Sequence, residues 1–169
     1  MVSVSIQTKS EFHVIGVKTW ISGADNSLFA EFWRKCHADG AIEQITKFNK
    51  EKESSVTKSA VLGLSCTEND PSVRSFYFYI GVETNEEKNQ GYFEVVKVRS
   101  YTWAIFSSEG NDINALMDCE MYAWMDWLPK NDVYIHHNGP ELEVYFQENK
   151  IEYWIPVREV KSKSEKQID

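Results

Sequence analysis

The sequence predicts an α+β fold: a duplicated strand–helix–strand–strand unit, with antiparallel sheets, helices on one side and a ligand groove between the halves. Three observations predict it. Several segments alternate with the two-residue period of strands. Two segments instead repeat with the helical period. The order strand, helix, strand, strand occurs twice, with helix starts near residues 27 and 112. Two such units would pair their sheets and set both helices on one side, leaving a concave groove on the opposite face where the halves meet.

The first unit opens with EFHVIGVKTW, residues 11–20. Phe12, Val14, Gly16 and Lys18 alternate there with His13, Ile15, Val17 and Thr19, so both faces of this strand carry apolar groups. GADN turns the chain, and Asp25, Asn26 or Ser27 caps a helix. Leu28, Phe29, Phe32, Trp33 and Cys36 fall at helical spacing, and Gly40 is the stop. Residues 47–59 are polar and charged and read as a loop. AVLGLSC (60–66) and SFYFYIGVE (75–83) read as strands, with TENDPS as the turn between them.

The second unit repeats the order. Residues 92–110 are extended, with a bend at Arg99 and Ser100. Residues 111–129 form a helix whose stripe is Ile113, Leu116, Met117, Met121, Trp124 and Leu128, with Trp124 and Trp127 assigned to packing. Pro129 discourages continuation. NDVYIHHNGP reads as loop and turn, and ELEVYFQ (141–147) and IEYWIPVREV (151–160) as a hairpin about Glu148, Asn149 and Lys150. The expected organisation is one domain over 1–160, pseudo-repeats at 11–83 and 92–160, and a flexible polar tail at 161–169.

Composition narrows the function. The net charge is −8 and the pI about 5.1, which argues against direct nucleic-acid binding and leans towards cationic partners. Aromatic residues reach 14%, a surplus that suits flat ligands and an aromatic core alike. Three cysteines without Cys-x-x-Cys spacing give no disulfide scaffold or zinc site. His136 and His137 are adjacent, point apart in extended chain and chelate one ion poorly. No phosphate loop or nucleophile elbow occurs, so no cofactor and no metal are expected. The N-terminus lacks a signal-peptide build and no apolar run approaches a membrane span, which reads as a soluble, cytoplasmic chain.

Within ELEVYF, Leu142, Val144 and Phe146 share one face, while Glu141, Glu143 and Tyr145 share the other. That polar row suits either a solvated face or a pocket that wants positive charge. YTWAIFSSEG, then a helix ending WMDWLP, then GPELEVYF, then EYWIPV resemble the GyrI-like effector-binding family. That family includes the ligand-binding domains of multidrug-sensing activators of the MerR and AraC types. The resemblance covers about residues 11–160 and is strongest from Tyr92 to Val160. It implies that Glu143, in the run Pro140, Leu142, Glu143 and Tyr145, sits at the base of an aromatic pocket, with Glu141 at its rim. Alternation taken with the resemblance makes Tyr145, Trp103 and Trp154 ligand contacts, and the pattern of the first half adds Tyr79, although Trp103 and Trp154 suit an aromatic core as well. Trp103 replaces the family's usual tyrosine, which would reshape the pocket wall.

Three functions follow as expectations. The first is a stand-alone binder of amphipathic, cationic aromatic compounds. The second is a hydrolase of strained natural products with Glu143 as general base. The third is an interaction with a protein partner, such as a DNA-binding protein or gyrase. The activator members carry an N-terminal DNA-binding domain, and none is expected ahead of the strand at residue 11.

Overall fold

The computed structural model of the chain describes residues 1–67, 74–110 and 112–161. The TENDPS turn and the 161–169 tail fall largely outside these residues. The strands are β1 (Ser3–Lys9), β2 (Phe12–Ser22), β3 (Val61–Ser65), β4 (Ser75–Thr84), β5 (Glu94–Val98), β6 (Tyr101–Glu109), β7 (Tyr134–His136), β8 (Glu141–Phe146) and β9 (Lys150–Glu159). The helices are α1 (Ser27–Ala38), α2 (Ala41–Thr46) and α3 (Ile113–Met121). α3 runs on through a π-helical segment, Tyr122–Trp127, into a last turn, α4 (Leu128–Lys130).

All nine strands join one antiparallel sheet, in the order β1-β6-β9-β8-β3-β4-β2-β5, with β7 beside β9. The order carries the duplication. β6, β9 and β8 on one side match β2, β4 and β3 on the other, and the central neighbours β8 and β3 join the halves. β5 crosses the division, since it precedes β6 in the chain yet pairs with β2 of the first half.

The helices cover one face of the sheet in two patches. α1 and α2 pack Phe32, Cys36, Ala41 and Ile45 on Ile15, Phe78, Ile80 and Val82. α3 packs Ala115, Leu116 and Cys119 on Ala104, Phe106, Ile151 and Ile155. The opposite face holds a third core around Leu62, Leu64, Leu142, Val144, Trp103 and Trp154. Val56 and Ala60, from the loop before β3, pack against it. Buried Glu83 anchors that loop by accepting hydrogen bonds from the Ser55 and Thr57 hydroxyls and from the Val56 and Thr57 amides, at 2.8–3.0 Å. A buried carboxylate demands such donors, so Glu83 explains why a charged loop closes over an apolar face.

Several elements differ from the sequence reading. β1 was not expected, although Val2, Val4 and Ile6 alternate, and these three pack against the core under α3. β7 lies in the segment read as loop, and six-residue α2 follows the Gly40 stop. Gly40 has φ +76°, a left-handed conformation that lets one helix end and the next begin at once. Pro129 does not end the second helix. It stands in the first turn of α4, where its missing N–H has no helical role to lose.

Candidate functional site

The two helices leave the middle of the sheet bare. Over β3 and β8, between α1 and α3, lies a cavity of about 760 Å3. α1 contributes Phe29, Ala30 and Trp33, and the α3 side contributes Met117, Glu120, Met121 and Trp124. The sheet beneath supplies Glu141, Glu143, Tyr145, Tyr153 and Phe76. The groove therefore stands between the halves but on the helix side of the sheet. The sequence reading put it on the opposite face, which the third core fills instead.

Strand alternation decides which β8 side chains reach the cavity. Leu142 and Val144 enter the third core, so Glu141, Glu143 and Tyr145 turn to the helices. Gly63 is the register partner of Glu143. A Cβ at Gly63 would stand 2.9 Å from a Glu143 carboxylate oxygen and 3.0 Å from the Phe78 ring. The glycine is what lets the carboxylate lie across the sheet.

Each β8 carboxylate has its own phenol. The Tyr145 hydroxyl donates to Glu143, and the Tyr153 hydroxyl donates to Glu141. Trp124 Nε1–H donates to the Tyr153 oxygen at 2.8 Å, tying the π-helical segment to the sheet. Trp33 packs edge-on to Tyr145 with ring centroids 5.1 Å apart. Glu120 has no hydrogen-bond or ion-pair partner among the described residues. Arg74 is the cavity's one guanidinium or ammonium group among them. It is held at the rim by the Gly23 carbonyl at 3.1 Å, by Asn26 and by the face of Phe29.

Burial acts on all three carboxyls. It pushes Glu143 up to about 7, opposed by the Tyr145 hydrogen bond and aided by the charge of Glu141. It pushes Glu120 up to about 8, aided by Glu143 and then Glu141 and opposed by Arg74. It raises Glu141 as well, against hydrogen bonds from Tyr153 and Trp124. His136 also lines the cavity. Burial lowers its pKa, and its buried Nε2 has no hydrogen-bond partner among the described residues. His137 faces away, against Tyr101.

Of the residues expected as ligand contacts, Glu143 and Tyr145 line this cavity. Trp103, Trp154 and Tyr79 do not. They lie across the sheet in the third core, where the Trp103 and Trp154 rings meet at a tilt with centroids 5.6 Å apart. Their strand parity sends them there, because Trp154 pairs with Leu142 and faces as Leu142 does. Glu141 belongs to the floor and not the rim. Trp124, assigned to packing, is a wall residue. Sequence reasoning also missed Glu120, Tyr153 and Arg74. Tyr153 was within reach, since it alternates with Trp154, but Glu120 lies outside the apolar stripe of its helix and no local signal marks it.

A duplicated antiparallel sheet with a large, acidic, aromatic-walled cavity between its two helices defines a ligand-holding domain. The integron-associated effector binding protein family (Cass2) matches residues 5–157, and the chain belongs to that family. It is a GyrI-like effector-binding domain. Solved structures share the fold. SAV2435, solved bound to tetraphenylphosphonium, superposes with a TM-score of 0.74 at 18% identity, over 92% of this chain and 94% of its own. An integron cassette protein from the mobile metagenome of Vibrio cholerae gives 0.65 at 19% identity, over 92% and 95%. The C-terminal domain of EcmrR gives 0.63 at 16%, over 95% and 99%. No curated protein matches the chain. No helix among the described residues is long and apolar enough to cross a membrane.

Proposed function

We propose that the effector bound by this chain is an amphipathic, cationic aromatic compound, held between α1 and α3 over Glu143 and Tyr145. The observation that supports this most is the charge imbalance of the cavity. Glu120, Glu141 and Glu143 face it, while the one guanidinium among the described lining residues, Arg74, is engaged at the rim. A desolvated carboxylate gains from an incoming cation. Rings such as Trp33, Trp124 and Tyr145 add cation–π attraction of roughly 0.5–2 kcal/mol each when well placed. Met117 and Met121 at the mouth adapt to different ligand shapes, a property of promiscuous sites. The tetraphenylphosphonium complex of SAV2435 is in keeping with this reading.

The test is a tryptophan-fluorescence titration at pH 8 with tetraphenylphosphonium and with neutral triphenylphosphine oxide. Trp33 and Trp124 are the expected reporters. The cation should give saturable quenching and bind more tightly than the oxide. Glu143→Gln should weaken the cation about tenfold and leave the oxide unchanged, as expected for one lost charge contact. Absence of saturation, or equal binding by both proteins, would refute the proposal.

A further inference from the structure

The cavity is lined by three carboxyls, more than one monovalent cation can pair with. Glu143 and Glu141 are alternate residues on β8, so their side chains leave the sheet about 7 Å apart on the same face. Each is fixed separately, Glu143 by Tyr145 and Glu141 by Tyr153. Phenols that donate to carboxylates favour their charged forms and keep each aimed. Glu120 faces them from α3, coupled to Glu143 and then to Glu141. The compensating charges are few. Arg74 stands beside β4 at the rim, and His136 on β7 is kept towards its neutral form by burial. A ligand with a single charge at Glu143 leaves Glu141 without a counter-charge.

We propose that the cavity is a two-point cation site. It selects dicationic aromatic ligands with charges about 7 Å apart, one at the Glu143–Tyr145 pair with Glu120 and one at the Glu141–Tyr153 pair. The inference rests on the cation-binding reading above and adds the number and spacing of charges. His136 Nε2 lies buried in the wall without a hydrogen-bond partner among the described residues, and burial keeps this imidazole from adding a competing positive charge. The volume of about 760 Å3 exceeds what a small dication fills, so size alone does not restrict the choice.

The probes are para-xylylene bis(trimethylammonium), whose nitrogens lie about 7 Å apart, and its isostere with one nitrogen replaced by carbon. The pair matches in shape and differs by one charge. Calorimetric titration at pH 8 should show the dication binding about tenfold or more tightly than the monocation, since a second charge pair forms away from bulk water. Glu141→Gln should abolish that difference, so that the dication and the monocation bind alike. Glu120→Gln should reduce both. Unchanged melting of each variant with a neutral ligand present establishes folding. Equal affinities, or a dication preference that survives Glu141→Gln, would overturn the two-point site and leave the cation reading intact. If neither probe saturates and tetraphenylphosphonium also fails, both readings fall.

Discussion

Cation affinity should rise steeply between pH 6 and pH 8. In the empty cavity Glu143 ionises at about 7 and Glu120 at about 8, because burial opposes their charge. At pH 6 both are largely neutral, and a cation entering the cavity must drive protons off. The affinity lost to protonation of Glu143 is about elevenfold at pH 6 and close to nil at pH 8, a net gain of about tenfold. If Glu120 also deprotonates on binding, it adds a factor of about fifty over the same interval. The predicted change therefore lies between about ten and five hundred. Tetraphenylphosphonium is the right probe, as its charge does not titrate. His136 does not reverse the trend, since burial lowers its pKa and a neutral imidazole neither repels the ligand nor loses a proton. Calorimetry in buffers of different ionisation heat would count the protons released at pH 7. Glu143→Gln should lower the count by about one half, its occupied fraction at that pH. A dissociation constant flat from pH 6 to pH 8 would refute the argument. So would a slope that neither Glu143→Gln nor Glu120→Gln alters.

Tyr145→Phe removes the donor to Glu143 and should weaken cation binding at pH 7 about fivefold, with neutral ligands unaffected, as read by the same titration. Gly63→Val pushes a side chain against the Glu143 carboxylate and the Phe78 ring. It should cost about 1–3 kcal/mol in urea unfolding and weaken cation binding together. Trp103→Leu should cost about 2–4 kcal/mol in the same assay yet change cation affinity less than about threefold. A collapse of affinity without loss of stability would restore Trp103 as a ligand contact. The ligand-free protein should lose stability as pH rises from 5 to 9. Glu143 and Glu120 ionise higher when folded than when unfolded, so the folded state holds more protons, and its advantage fades as pH climbs through about 7 and 8. Thermal melts should show Glu143→Gln flattening that decline.

Much of this was legible in the sequence, and the misplaced site residues share one physical cause. Alternation located β8 and its polar row correctly, and helical spacing located α1 and α3. Parity within a strand is a local property, but which parity meets a helix is not. Glu143 and Trp154 sit on neighbouring strands and were placed together by resemblance. The register that pairs Glu143 with Tyr153, and not with Trp154, emerges only when β8 and β9 are laid side by side. Glu120 was hidden for the same reason. On α3 it lies next to buried Cys119, and nothing local shows that its direction points over β8 and not into solvent. The short elements β7 and α2 escaped because three and six residues carry too little periodicity to register.

The cavity follows from the duplication itself. Each half brings one long helix to one face of its strands. α1 packs over β2 and β4, and α3 packs over β6 and β9. When the halves join through β3 and β8, those two strands occupy the middle of the sheet, beneath the gap between the helices. An apolar sequence there would be expected to pull the helices together. The chain instead places Gly63 and Ser65 on β3, and Glu141, Glu143 and Tyr145 on β8. Carboxylates resist burial without a counter-charge, which on the proposed reading leaves the gap to a cation, and Tyr145 and Tyr153 donate hydrogen bonds to Glu143 and Glu141. On that reading the polar row in ELEVYF keeps the two helices from closing over the middle of the sheet. Substituting Glu141 and Glu143 by leucine would fill the space by collapse, which is why Gln, of the same shape without the charge, is the informative replacement at both positions.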